Sequence, residues 1–215
     1  MKTPKKIITH SRRAIDLARE RGWHHGARYT NLRDVKHLPN ERLAFLDIDW
    51  KNYCFDRHKI ATEATRPHMT VARDVEDIAQ LPAILEEASE LALHADIVLI
   101  VPKDPKLAGR FPKLIPSDFL LGYSVPSKYG STPIPLASFD RPVHLLGGRP
   151  DTQRRLGQHL DVYSIDCNRF TLDARYGDYF DGKSFRPHPE GGYNRCLIDS
   201  IENINILWEK PIMIT

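Results

Sequence analysis

The sequence lacks the features that mark secreted, membrane-spanning or disulfide-bonded proteins. Its longest apolar run is the segment 97–101, far short of the ~20 residues that span a bilayer. Its three cysteines, Cys54, Cys167 and Cys196, form no C-x-x-C pair, which favours reduced thiols over a disulfide framework or a zinc site. The basic residues near the start are followed by no apolar segment of the signal-peptide type. We therefore expect a cytoplasmic protein without a membrane partner.

Metal-binding motifs and blocks of like charge are also absent from the sequence. The ten histidines form no H-x-x-x-H pattern and no carboxylate-spaced ligand set, so we expect no catalytic metal and no cofactor. The net charge is +3, and acidic and basic residues are interspersed along the chain. This composition permits a nucleic-acid partner but does not require one.

Short β-rich runs alternate with helical patterns, which is typical of βα units with parallel strands. A chain of 215 residues with 41% hydrophobic content fits a single domain, residues 1–215. The predicted helices cover residues 11–21, 81–94, 151–160 and 195–208. The predicted strands cover residues 6–9, 43–49, 68–73, 97–101, 119–123, 143–146 and 162–165, with a further candidate at 170–172.

This order of elements predicts a compact or incomplete TIM-like (β/α) barrel with parallel strands, and an open doubly wound sheet is the alternative. A full barrel of this kind has ~250 residues, so some helices must be short or missing. Two segments rich in turn-forming residues, 125–135 and 176–192, are predicted as loops. The second is a candidate lid or substrate-binding loop.

Aspartates follow several of the predicted strands. Asp47 and Asp49 lie two residues apart, on one face if the strand persists through both, and Asp74 and Asp166 end two other strands. In parallel α/β folds the carboxyl ends of the strands carry the active site. Converging carboxylates repel each other, which raises some of their pKa values and provides an acid and a base. A helix cap or a turn would equally explain any single one of these aspartates.

A diglycine turn joins the predicted strand 143–146 to a capped helix. Its residues are Gly147 and Gly148. Glycines let a ligand approach the backbone closely, and free amides at such a turn can hold a planar base or an anion. A simple tight turn between strand and helix is the alternative.

Lysines and aromatic residues near the strand ends are further candidates for ligand binding. Lys103 and Lys128 leave two strands and are candidates for contacts with phosphates, with solvated surface as the alternative. Trp50, Tyr123 and Tyr129 lie where an aromatic ring can stack on a base, with core packing as the alternative.

One segment of the chain carries a family resemblance. Residues 143–168 contain Leu-Leu-Gly-Gly-Arg-Pro-Asp, a helix, and then Val-Tyr-Ser-Ile-Asp-Cys. This order resembles the late part of the barrel of the tRNA-guanine (queuine and archaeosine) transglycosylase superfamily. The resemblance implies that Asp166 is the nucleophile and that Gly147 and Gly148 contact the base. Asn168, which follows in the same motif, is a further candidate for substrate binding.

Earlier motifs follow in the same order. Asp47-Ile-Asp49 occupies the place of the family's Asp-Ser-Gly-Gly-Phe-Gln motif, whose aspartate is the general acid/base, and Asp74 occupies the place of its base-recognising aspartate. The segment 120–125 is similar to the family's Ile-Gly-Gly-Leu strand. The resemblance spans residues 43–170 in motif order. It leaves open which of Asp47 and Asp49 is the acid/base.

The resemblance is closest to DNA 7-deazaguanine transglycosylase-like proteins and to uncharacterised proteins of phages and mobile elements. The Cys-x-Cys-x-x-Cys…His zinc site that clamps tRNA is missing, so a tRNA substrate is not expected. The implied activity is exchange or removal of a guanine-type or 7-deazaguanine base on DNA or a nucleoside through an aspartyl-glycosyl intermediate. A non-catalytic nucleobase or nucleic-acid binding protein is the alternative, and a homodimer or a partner subunit stays open.

Overall fold

The backbone closes into a barrel of eight parallel strands, which confirms the predicted fold class. The structure, a computed structural model, describes residues 3–38, 40–127 and 130–210. Each strand pairs with the next, and the last pairs with the first, so neither is an edge as it would be in an open doubly wound sheet. The strands are β1 (Lys5–Ile8), β2 (His24–Arg28), β3 (Phe45–Asp47), β4 (Met69–Val71), β5 (Ile97–Ile100), β6 (Leu120–Ser124), β7 (Val143–Leu146) and β8 (Val162–Asp166).

The outer layer consists of short helices, which is how eight βα units fit into this chain. In the described parts of the β2–β3 and β6–β7 connections, single 3-10 turns (Arg33–Val35 and Leu136–Ser138) stand in place of an α-helix. None of the helices in the described ranges is long and apolar enough to cross a bilayer. The helices are α1 (Arg12–Arg19), α2 (Phe55–Thr65), α3 (Leu81–Leu91), α4 (Phe111–Leu114), α5 (Pro150–Leu156), α6 (Arg169–Ala174) and α7 (Tyr193–Glu209).

The candidate eighth strand at residues 170–172 is wrong, because these residues lie in α6. Phe170 is fully buried edge-on against Trp23, and Arg169 pairs with Asp173 one helical turn away. The eighth strand is instead β2, which was not predicted. Its sequence, His-His-Gly-Ala-Arg, lacks the β-branched and aromatic residues that favour strands, and its pairing with β1 and β3 holds it in place.

Two further elements were missed. Helix α2 was not predicted because its buried residues, His58, Ala61 and Thr62, include only one apolar side chain and give no hydrophobic stripe. The predicted loop at 176–192 contains an antiparallel hairpin of β9 (Asp178–Phe180) and β10 (Phe185–Pro187), and β9 packs against α7. Tertiary packing therefore orders much of a segment that the sequence marks as a loop.

Side chains fill the barrel interior. The rings of Phe45 on β3 and His144 on β7 contact each other with centroids 5.0 Å apart, although these strands are not neighbours. Both side chains therefore point inward and meet across the barrel. At the amino end of the strands, the Lys5 ammonium donates a hydrogen bond to the Tyr163 hydroxyl at 2.9 Å, and His68 lies 3.3 Å from the same ammonium. These contacts close that end of the barrel.

A buried histidine anchors α2 to the barrel wall. The His58 imidazole has no exposed surface, and its Nε2 lies 2.8 Å from the Thr70 hydroxyl on β4. Its ring stacks on Tyr29 at 5.3 Å, and its Nδ1 lies 3.3 Å from the Tyr53 hydroxyl. Burial lowers the pKa of His58 to about 4, so the folded protein holds this imidazole neutral at neutral pH.

His58 makes stability depend on pH. Its pKa is lower in the folded state than the ordinary value of 6.5, so the unfolded chain binds the proton more readily as the pH falls below 6.5. We expect His58 to cost ~2–3 kcal/mol of unfolding free energy between pH 7 and pH 4.5. The free energy of unfolding of His58→Gln, measured with urea at both pH values, should therefore decrease less than that of the wild type, by about this amount.

The exposed His159 offers the matched control. A His159→Gln variant should lose as much stability as the wild type between the two pH values. If His58→Gln and the wild type lose equal amounts, the anchoring imidazole is not the group that titrates.

Candidate active site

A cavity of about 340 Å³ opens at the carboxyl ends of the barrel strands. Its charged and amide side chains come from the last residue of a strand or from the first residues after it, as expected for this fold. They are Arg28, Asp47, Asp74, Lys103, Asp166 and Asn168. The cavity thus gathers side chains from β2, β3, β4, β5 and β8.

Most of the predicted site residues lie together in this cavity. Asp47, Asp74 and Asp166 all line it, and so do Lys103 and Asn168. The diglycine turn, Gly147 and Gly148, forms part of the same wall. Asp49 and Tyr123 are not among the lining residues.

Asp49 lies outside the cavity because β3 ends at Asp47, before the alternation that would place both aspartates on one face. The Asp49 carboxylate instead accepts a hydrogen bond from the Lys51 amide at 3.3 Å. Tyr123 is buried edge-on against Phe139, with ring centroids 5.3 Å apart. Position therefore favours Asp47 over Asp49 as the acid/base candidate.

Of the remaining aromatic and lysine candidates, one lies at the cavity. Trp50 lines the cavity and is 52% exposed, and the Lys51 ammonium lies 5.2 Å from its ring centroid, so the rest of the ring surface is open to a ligand at the mouth. Lys128 and Tyr129 lie outside the described residues.

The Asp166 carboxylate is held by neighbours on both of its oxygens. The Gly147 amide donates to Oδ1 at 2.6 Å, and the Asn168 amide donates to Oδ2 at 3.3 Å. Asn168 is itself fixed by Thr9 on the other side of the β8–β1 junction, through bonds of 2.7 and 3.1 Å. Asp166 is only 5% exposed. It is therefore an oriented carboxylate at the base of the cavity.

A buried glutamine ties the diglycine turn to the end of β8. The Gln153 side-chain amide donates to the backbone carbonyls of Gly147 and Asp166, both at 2.7 Å. Gln153 lies on α5, the helix that begins directly after the turn, and it is fully buried. These bonds hold the Gly147 amide against the Asp166 carboxylate.

Asp47 lies in an environment that suits proton transfer. Burial raises its pKa to about 7, and the charges of Asp166 and, less strongly, Asp74 act in the same direction, whereas Arg28 and the Ile48 amide act in the other. The Asp47 side chain is 19% exposed, so a ligand in the cavity can reach it. A carboxyl group with a pKa near neutrality can both give and take a proton.

Asp74 and Lys103 form an ion pair on the β4–β5 side of the cavity. The Lys103 ammonium lies 2.6 Å from the Asp74 carboxylate and 3.3 Å from that of Glu76. Burial raises the pKa of Asp74, and Lys103 offsets part of this rise. An ammonium has three N–H donors, so one remains beyond these two contacts. The pair therefore presents a donor next to an acceptor.

Three residues that line the cavity or contact its lining were not predicted from the sequence. Arg28, whose Nε lies 3.8 Å from the Asp47 carboxylate, ends the strand that was itself missed. Gln153 and His144 act through contacts with residues far away in the chain. No group of three or more His, Cys, Asp or Glu residues within the described ranges could hold a metal ion.

Alanine substitutions at the two glycines of the turn should lower the stability by different amounts. Gly147 has a φ of +61°, and a Cβ added there meets no atom within 4 Å, whereas at Gly148, with a φ of +83°, it would lie 2.3 Å from Val125 Cγ1. We expect Gly147→Ala to cost ~1–2 kcal/mol for the left-handed backbone. Gly148→Ala should cost a further ~1–3 kcal/mol for the overlap, as measured by denaturant unfolding.

Val125 supplies the control for this pair. In a Val125→Gly background, the difference between the two glycine substitutions should shrink, because the Val125 Cγ1 and Cβ atoms that the new Cβ would meet at 2.3 and 2.6 Å are both gone. An unchanged difference would show that the contact with Val125 is not its cause.

Comparison with known proteins adds a family to this geometry. Residues 18–209 match the family described as "Family of unknown function (DUF6610)". A search of the curated proteins finds no match. The matched region includes every strand from β2 to β8 and all three carboxylates of the cavity. The chain therefore belongs to the DUF6610 family.

Proposed function

We propose that the protein is a transglycosylase-like enzyme that exchanges or removes a guanine-type nucleobase on DNA or a nucleoside. The observation that carries this proposal is the pairing of two different carboxyl groups in one cavity. Asp166 is fixed by hydrogen bonds and serves as the nucleophile. Asp47, with a pKa of about 7, serves as the proton donor and acceptor. Retaining glycosidases divide the chemistry between two carboxyl groups in the same way.

In the first step, an Asp166 oxygen attacks C1′ of the sugar from the face opposite the base. The new C1′–O bond forms as the C1′–N bond breaks, and the electron pair of that bond moves onto the base nitrogen. Protonated Asp47 donates its proton to the departing base, which leaves as a neutral molecule. The products of this step are a glycosyl ester on Asp166 and the Asp47 carboxylate.

In the second step, the Asp47 carboxylate removes a proton from an incoming base or from water. The incoming nitrogen or oxygen then attacks C1′, and the ester C1′–O bond breaks to return Asp166 to its carboxylate form. An incoming base gives exchange, whereas water gives removal. Both steps use only side chains of the chain and the two reactants, so the proposed reaction needs no cofactor.

The other walls of the cavity suit recognition of a base. Asp74 offers an acceptor, Lys103 offers a donor, and the exposed ring of Trp50 offers a stacking surface at the mouth. A cavity of about 340 Å³ is at the lower end of the ~300–1,000 Å³ range of small-molecule sites. A base within a duplex would therefore have to be flipped out of the stack to enter.

The covalent intermediate is the direct test of this proposal. The wild type is mixed with deoxyguanosine or with a single-stranded oligonucleotide that contains guanine, quenched in acid and analysed by intact-protein and peptide mass spectrometry. We expect a glycosyl adduct on Asp166, together with exchange of isotope-labelled guanine. Asp166→Asn should form no adduct, and Asp47→Asn should slow exchange by about 10²–10⁴-fold.

Asp49→Asn is the matched comparison, since this carboxylate lies two residues from Asp47 but outside the cavity. It should exchange guanine at a rate close to that of the wild type. If the wild type binds guanine or the oligonucleotide stoichiometrically without an adduct or exchange, the protein is a binder and not an enzyme.

The proposed role of Asp47 also predicts a pH profile. Because its pKa is about 7, the protonated form that donates to the departing base is lost as the pH rises through 7. The rate constant for adduct formation in a single turnover should therefore fall about tenfold per pH unit above 7. This decrease should be absent from the residual rate of Asp47→Asn, and its persistence there would assign the titration to another group.

A further inference from the structure

A histidine lies beneath the Asp166 carboxylate, inside the barrel. His144 has no exposed surface, and its ring packs against Phe45. Its Nδ1 lies 2.7 Å from the Ser164 hydroxyl, and its Nε2 lies 3.8 Å from Asp166 Oδ1. No hydrogen-bond partner for this Nε2 is found within the described residues. The orphaned nitrogen faces the very carboxylate that the proposed reaction uses.

The neighbours of the ring indicate which nitrogen carries the proton. A bare Nε2 would direct its lone pair at a carboxylate oxygen, which is repulsive, whereas a protonated Nε2 is attracted to it. With the proton on Nε2, Nδ1 is free to accept a hydrogen bond from the Ser164 hydroxyl at 2.7 Å. Both contacts therefore favour the same tautomer.

We propose that His144 is a positioning residue for Asp166. Its Nε2–H group attracts Oδ1, the oxygen that the Gly147 amide also binds. Oδ1 thus has two N–H groups near it, whereas among the described residues Oδ2 has only the 3.3 Å contact from the Asn168 amide, so Oδ2 is the oxygen that faces C1′. In the glycosyl ester the same donors bind the ester carbonyl oxygen, and they stabilise the carboxylate again when it departs. The contact is at 3.8 Å, longer than a hydrogen bond, so the attraction between the N–H group and the carboxylate is electrostatic.

Ser164 has a supporting role in this arrangement. It lies two residues before Asp166 on β8, so its side chain points to the same inner face. Its hydroxyl fixes the tautomer of His144 in the way that a hydrogen-bond partner commonly fixes that of a functional histidine. The interior of the barrel thus contains a series of side-chain contacts from Ser164 through His144 to Asp166.

Two variants test this series of contacts. The double substitution His144→Phe/Ser164→Ala removes both polar partners and keeps a ring against Phe45, so no new buried group is left unpaired. His144→Gln is the conservative variant, because its amide can donate to Asp166 while its carbonyl accepts from Ser164. Denaturant unfolding reports whether each variant is folded as stably as the wild type.

The kinetic readout rests on the proposed function of Asp166. In single turnovers with deoxyguanosine, the double variant should form the Asp166 adduct roughly 10- to 100-fold more slowly, by analogy with the loss typical of groups that orient metal ligands. The dissociation constant for guanine should stay within about threefold, since His144 does not line the cavity. His144→Gln should recover most of the rate. An unchanged rate in the double variant would overturn the proposal, and so would a loss of rate that His144→Gln does not restore.

A spectroscopic readout does not depend on catalysis. In ¹⁵N-labelled protein without substrate, two-dimensional spectra of the imidazole should show the His144 proton on Nε2, and Asp166→Asn should shift that nitrogen's signal. A proton on Nδ1, or a signal unaffected by Asp166→Asn, would overturn the proposal. If the wild type forms no adduct but the Nε2 signal responds to Asp166→Asn, the transglycosylase assignment fails and the His144–Asp166 contact stands.

Discussion

The pairing of β8 with β1 is the constraint on which the rest of the site depends. It sets Asp166 beside Ile7 in the register of the two strands, and it brings Thr9 within hydrogen-bond distance of Asn168. Without this closure, the first and last strands would be two edges of an open sheet. The carboxylate at the end of β8 would then have no fixed position relative to Asp47. The closure of the barrel therefore also brings the parts of the site together.

The balance of charges around the cavity sets the proton affinity of Asp47. Three carboxylates face one cavity with Arg28 and Lys103 as cations, and the distribution of these cations is uneven. Lys103 contacts Asp74 at 2.6 Å, whereas Arg28 stands 3.8 Å from Asp47. Burial and the neighbouring charge of Asp166 therefore dominate at Asp47 and raise its pKa to about 7. The surroundings of Asp47 therefore suit proton transfer, which is the role proposed for it.

Features that repeat along the chain were accessible from the sequence, and contacts between distant segments were not. The apolar runs before Asp47, Asp74 and Asp166 mark strands whether or not their neighbours are known, so the barrel and these aspartates could be predicted. Strand β2 and its terminal Arg28 carry no such pattern, since only the flanking strands make this segment extended. The residue at which β3 ends, Asp47, likewise depends on pairing with the neighbouring strands. Asp49 lies beyond this end and therefore outside the cavity.

The bonds from Gln153 make the two sides of the cavity respond differently to substitution. One amide holds both the diglycine turn and the end of β8, so a replacement of Gln153 would disturb the turn and the strand end together. Asp74 and Lys103 lie in the segments that follow β4 and β5, and the Lys103 ammonium contacts the carboxylates of Asp74 and Glu76. An exchange of those side chains would therefore change the polar groups on that wall of the cavity without altering the bonds that Gln153 makes.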